Sequence, residues 1–123
     1  MEYMLLIYAE EAAAAARSAE EAEHMHAEYM TLTQEMVEAG AMVGGSGLQG
    51  SDTATSVRVR NGGTSTTDGP YAETKEVLGG YYIVECEDLD QAIEWAARIP
   101  GARMGGVEVR PLMKIPADAE PTT

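Results

Sequence analysis

Glu2-Tyr3-Met4-Leu5-Leu6-Ile7-Tyr8-Ala9 reads as a β-strand that is apolar on both of its faces. Successive side chains of a strand point to opposite sides, so Tyr3, Leu5 and Ile7 share one face and Met4, Leu6 and Tyr8 the other. A strand of this kind must be covered on both sides, which predicts a central place in its sheet. A second segment, Gly80 to Cys86, has the same character: Tyr81 and Ile83 oppose Tyr82, Val84 and Cys86.

Between these two strands the chain reads as a helix followed by β structure. Ala12 to Ala16 favours helix but lacks pattern. Ser18 with Glu21 makes a capping box, and Gly40 supplies a stop, so a helix is expected from Ser18 to about Ala39. Ala22, Met25, Tyr29, Leu32 and Met36 fall on one stripe of it. Ala41 to Leu48 reads as a short Gly-rich strand or loop. Thr55 to Arg60 alternates, Asn61-Gly62 is a hairpin turn signal, and Thr64 to Thr67 returns. Asp68-Gly69-Pro70 opens a loop through about Leu78. After the second apolar strand, Asp88 and Gln91 begin a helix whose inner stripe reads as Leu89, Ile93, Ala96 and Ala97, ended by Pro100-Gly101. Trp95 lies on the far side of this helix from Ile93, where it faces a partner subunit or the returning tail. Gly106 to Met113 is a last strand with Val107 and Val109 on one face and Glu108, Arg110 and Leu112 on the other.

The order β-α-β-β-β-α-β is that of an α+β, ferredoxin-like βαββαβ unit with an extra hairpin. In that topology the first and third main strands are central, and those are the two that are apolar on both faces. Two helices cover one sheet face. Met4, Leu6 and Tyr8 on the other face are too apolar to stay wet. The expectation is therefore a homodimer whose sheets close face to face, a dimeric α+β barrel. The 123 residues suit a single domain, taken as 1–115, with a frayed tail over 116–123.

Eight lysines and arginines against 21 aspartates and glutamates give a formal charge of −13. Without a basic cluster, nucleic acid is not expected as a partner, nor is an anionic membrane surface. No basic residue precedes the apolar opening, and Glu10 and Glu11 interrupt it, so it does not read as a secretory signal. Cys86 is the only cysteine, which excludes an intramolecular disulfide and fits a reducing cytoplasm. No His/Cys spacing points to a metal site, and none is expected.

Gly45-Ser46-Gly47-Leu48-Gln49-Gly50 matches the dinucleotide fingerprint letter for letter. That reading needs a helix directly after the glycines. Ser51 to Arg60 reads as loop and strand instead, so no cofactor is expected and the segment reads as a flexible loop.

Asp68-Gly69-Pro70-Tyr71-Ala72-Glu73-Thr74-Lys75-Glu76, followed by Leu78-Gly79-Gly80, is the most distinctive stretch. With Met4-Leu5-Leu6-Ile7-Tyr8, Ala39-Gly40-Ala41, Val57-Arg58-Val59-Arg60, Ile93-Glu94-Trp95-Ala96-Ala97-Arg98 and Val107-Glu108-Val109-Arg110-Pro111, it resembles the YCII-related proteins. The likeness is to the branch named for an Asp-Gly-Pro-Phe motif, with Tyr71 here in place of the phenylalanine. The resemblance implies a ferredoxin-like dimeric α+β barrel. For some members it implies an enzyme-like pocket with a His–Asp pair. For this branch it implies genes that often lie beside those of extracytoplasmic-function sigma factors.

Two histidines are present. His24 lies about 140° from the stripe centre and reads as solvated. His26, about 60° off centre, is either a boundary residue or an acid–base group near neutral pH. Asp68 either caps the turn before Pro70 or orients His26 for proton transfer. Arg58, Arg60, Glu108 and Arg110 either line the barrel, where a guanidinium binds a carboxylate or phosphate, or face water. The candidate site is thus His26 and Asp68 as catalytic groups. Arg58 and Arg110 are the anion clamp, Tyr71 the stacking ring, and Glu73 a further binding residue. These would form a polar pocket between sheet and motif loop for a small anionic or aromatic molecule. The rival reading is a non-catalytic interaction or regulatory module, which a closed, filled barrel without a cavity would favour, whereas a cavity where the arginines and Asp68 converge would favour the binder.

Overall fold

The computed structural model describes residues 1–114. The expected tail over 116–123 lies outside them. The chain runs β1 (Glu2–Glu10), α1 (Glu11–Ala15), α2 (Ala19–Glu38), β2 (Met42–Gly47), β3 (Thr55–Arg60), β4 (Gly63–Asp68), β5 (Glu76–Glu85), α3 (Leu89–Arg98) and β6 (Gly106–Pro111). Single 3-10 turns occupy Ser51–Thr53 and Pro100–Arg103. The main sheet has the order β2-β5-β1-β6, and its three pairings are antiparallel. The two apolar strands are central, as their composition requires. This mixed α+β architecture is consistent with a ferredoxin-like fold. β3 and β4 form a separate two-stranded hairpin.

The core lies between the helices and one sheet face. Tyr3, Leu5 and Ile7 of β1 and Tyr82 and Val84 of β5 pack against Leu32 and Met36 of α2 and Ala92 and Ala96 of α3. Leu5, Met36, Val84 and Ile99 are fully buried. Removing such a side chain from water is worth about 1.5–3 kcal/mol each. Met4, Leu6, Tyr8, Tyr81 and Ile83 remain partly accessible on the opposite face. Register places Leu6 between Tyr81 and Glu108, and Met4 between Ile83 and Arg110.

Local signals set the element ends. The Ser18 hydroxyl accepts the Glu21 N–H at 3.1 Å. Asp88 accepts the Gln91 N–H at 2.9 Å, while the Gln91 side chain takes the Glu87 N–H at 2.8 Å. Gly40, at φ 73°, turns the chain out of α2. Asn61 and Gly62, at φ 52° and 77°, make the turn that a two-residue hairpin demands.

Three expectations need correction. β5 begins at Glu76, not Gly80, because β1 runs on to Glu10 and pairs Tyr8, Ala9 and Glu10 with Leu78, Val77 and Glu76 across a bulge. Ala22 is exposed, since the first turns of α2 lack a layer beneath them. The inner face of α3 is Ala92, Ala96 and Ile99, with Trp95 half-buried against the core, whereas Leu89 and Ile93 are exposed. Ile99 and Pro100, both buried, fix the rotation of α3, and the small alanines let it lie close to the sheet.

Candidate functional site

A cleft of about 670 Å³ lies on the helix side of the sheet. One wall is the stripe Met25, His26, Tyr29, Met30 and Thr33 of α2. Facing it are Met42 of β2, the segment Gly45 to Gly50 and the first half of β5. Ile7, Tyr82 and Gly101 also line the space, and Glu11, Ala14 and Arg17 close the end nearest α1. The fingerprint glycines thus line a cleft. They lead into a three-residue 3-10 turn and then β3, so they lack the helix that a pyrophosphate needs.

Hydrogen bonds hold the walls. The Thr33 hydroxyl donates to the carbonyl of Tyr29 at 2.8 Å and lies 2.9 Å from the Tyr82 hydroxyl. With its own proton committed, Thr33 accepts from Tyr82. The Tyr29 hydroxyl accepts the Gly101 N–H at 3.2 Å. Burial pushes the Tyr29 phenol above its ordinary pKa, opposed by that backbone donor and by the positive charges of Arg17 and Arg103. At the rim, the Glu11 carboxylate accepts the Ser51 N–H at 2.8 Å and also the Ser51 hydroxyl. These bonds hold its carboxyl below the ordinary range, the hydroxyl first. They latch the glycine segment to α1.

The residues singled out from sequence occupy three places. His26 is exposed on the cleft wall. Arg58 on β3 stacks its guanidinium 4.6 Å from the ring centroid of Tyr71, which is 72% exposed. Asp68 ends β4 opposite Thr55, and Glu73 is exposed in the following loop. The Ser56 hydroxyl ties this loop to the hairpin by donating to the Gly69 carbonyl at 2.9 Å. Arg110 pairs with Glu108 on β6. The structure therefore brings Arg58 and Tyr71 together, with Asp68 in the same hairpin and loop. No hydrogen bond or ion pair joins His26 to Asp68 among the described residues. A second, more open groove of about 610 Å³ does lie between the motif loop and the sheet. Its lining includes Tyr8, Lys75 and Glu108 but none of the six candidate residues.

Sequence reasoning missed Arg17 as a site residue. The signal was present, because Arg17 is the only lysine or arginine before Arg58. Arg98 and Arg103 pair with Glu35 and Glu28, and His24 also approaches Glu28. Cys86 is buried, and burial first of all pushes its thiol up in pKa, as befits an inert core residue. Among the described residues no group of three or more His, Cys, Asp or Glu side chains is placed to hold a metal ion. Nor is any described helix long and apolar enough to cross a membrane.

An antiparallel sheet of this order with helices packed on one face is consistent with the class of small ferredoxin-like α+β domains. Within it, the family model of the YCII-related domain matches residues 1–116, and the chain belongs to that family. It is also 37% identical over 114 residues to an uncharacterised protein of Rhizobium meliloti (strain 1021), covering 91% of this chain and 92% of that one.

Proposed function

We propose that the chain is a cytoplasmic homodimer that binds a small, largely apolar or aromatic molecule in the helix–sheet cleft of each subunit. The observation that carries this reading is the cleft itself. Its volume of about 670 Å³ falls in the range of small-molecule sites, and side chains of three tyrosines and three methionines line it. The rival reading is a regulatory module, including one that serves a sigma factor, and a closed, filled barrel between two subunits would favour it. The reading is one of binding and not of His26–Asp68 chemistry, because within one chain nothing links those two groups. Assignment to the Asp-Gly-Pro-Phe branch rests on Asp68-Gly69-Pro70-Tyr71, whose Tyr71 ring serves as the platform for Arg58.

Two features support pairing of identical subunits. Met4, Leu6, Tyr8, Tyr81 and Ile83 form an apolar sheet face with no layer over it among the described residues. The hairpin, with Val57 and Val59 exposed, is a two-stranded unit, and such units are marginal in water without further packing.

The test uses the methionines as reporters. In protein carrying ¹³C-methyl methionine, titration with the neutral aromatic 2-naphthamide is expected to shift Met25, Met30 and Met42 saturably. Met1 and Met113, which do not line the cleft, stay fixed. If those three methyl resonances do not move, or all methionines move alike, the cleft is not a binding site.

A further inference from the structure

We infer that the cleft selects a ligand bearing one carboxylate on its apolar body, and that Arg17 together with the Tyr29 hydroxyl anchors that carboxylate. This rests on the cleft-binding reading above and adds the chemical class of the ligand.

The argument begins with where the positive charges go. In a chain of net charge −13, a guanidinium readily finds a carboxylate. Arg98, Arg103 and Arg110 each do so. Arg58 lies over an aromatic ring, and Arg60 donates to the carbonyl of Val59. Arg17 alone among the described arginines has neither a ring nor an oxygen. Its Nη2 donates to the sulfur of Met104 at 3.2 Å, and its buried Nε has no partner. A thioether is a weak acceptor, and a buried N–H without a partner carries a desolvation cost.

Tyr29 adds a second donor. Its hydroxyl oxygen accepts from Gly101, while its own proton has no acceptor among the described residues. Arg17 and Tyr29 both line the cleft, and the charge of Arg17 acts on the Tyr29 phenol. The one carboxylate in the lining, Glu11, is engaged by the backbone and hydroxyl of Ser51. The cleft therefore offers a guanidinium and a phenol without a free carboxylate to match them.

For a ligand to reach this edge of Arg17, the contact with Met104, which lies outside the cleft lining, must open. The Met104 side chain is 54% exposed and unbranched, so the sulfur moves aside at small cost. A carboxylate then takes the Nε–Nη2 edge of Arg17 side-on and accepts the Tyr29 proton. This is the bidentate geometry that guanidinium favours.

The test compares 2-naphthoate with its uncharged twin 2-naphthamide at pH 7, using the full chain, with affinities from calorimetry and the methionine methyl shifts as the site readout. The naphthoate is expected to bind about tenfold tighter or better, as a charge-assisted hydrogen bond implies. Arg17→Gln is expected to erase that preference, and the far-UV circular dichroism of the parent shows that the variant is folded. Arg17→Lys retains part of the preference, and Tyr29→Phe reduces it. Equal affinities in the unaltered protein, or a preference that survives Arg17→Gln, overturn the anchor and leave the cleft reading standing. If neither compound moves the cleft methyls, the cleft reading fails and the anchor fails with it.

Discussion

A methyl group added at Gly105 would sit 2.1 Å from the carbonyl oxygen of Tyr8 and 2.9 Å from the Cα of Ala9. Both are backbone atoms of β1, so no side-chain rotation relieves the clash. Gly105→Ala must push the start of β6 away from its central neighbour, which is expected to cost about 1–3 kcal/mol. At the adjacent Gly106, nothing lies within 4 Å of the added carbon. Gly106→Ala is accordingly expected to stay within about 0.5 kcal/mol of the parent. Urea denaturation of the two variants side by side measures the difference. Equal midpoints would show that β6 does not approach β1 this closely at Gly105. The same close fit continues at Gly101, where an added carbon would meet the Tyr29 hydroxyl at 2.9 Å. A bare backbone there lets the Gly101 N–H reach that hydroxyl and fix the Tyr29 ring.

At the scale of elements, Glu11 of α1 bonds to Ser51, the residue that follows the glycine segment Gly45–Gly50. Glu11 holds Ser51 by its backbone N–H and its hydroxyl, and these bonds lower the folded-state pKa of the carboxyl. A depressed acid stabilises the fold above its ordinary pKa, and that contribution is lost as pH falls through the lowered folded-state value. The latch is therefore closed at neutral pH and opens only below the ordinary carboxylate range. Acidification is expected to move the Ser51 amide resonance and speed its hydrogen exchange, and Glu11→Gln is expected to abolish that pH dependence. An identical titration of the Ser51 amide in both proteins would disprove the latch. Short-range chemistry was legible at this scale: the Ser18 and Asp88 caps, the Gly40 stop and the Asn61-Gly62 turn all act between residues a few positions apart. The phase of α3 was not legible, because counting apolar residues favours Leu89 and Ile93, while the buried Ile99-Pro100 corner rotates the helix onto Ala92 and Ala96. The cleft was not legible either, since it forms where α2, the glycine segment and the extension of β5 past the bulge converge. Only the isolation of Arg17 in an acidic half of the chain hinted at it.

For the molecule as a whole, the two sheet faces are unequally buried, and the proposed pairing of subunits rests on that difference. The helix face buries Leu5 completely, whereas Leu6, its neighbour in the same strand, retains contact with solvent between Tyr81 and Glu108. An apolar sheet surface left open is a cost in water that a second copy removes by twofold pairing. Glu108 and Arg110, which pair with each other, stand on β6 beside Leu6 and Met4 at the edge of this apolar surface. Leu6→Glu places a carboxylate in the centre of this surface, next to Glu108, while sparing the helix-side core. It is expected to shift sedimentation from twice the chain mass to the single-chain mass, with the far-UV circular dichroism of the parent retained. The cleft lies on the other side of the sheet, so the monomeric variant is expected to bind 2-naphthamide as the parent does. A Leu6→Glu protein that remains dimeric would place the interface elsewhere. A parent that sediments as a single chain would mean that the open face stays wet.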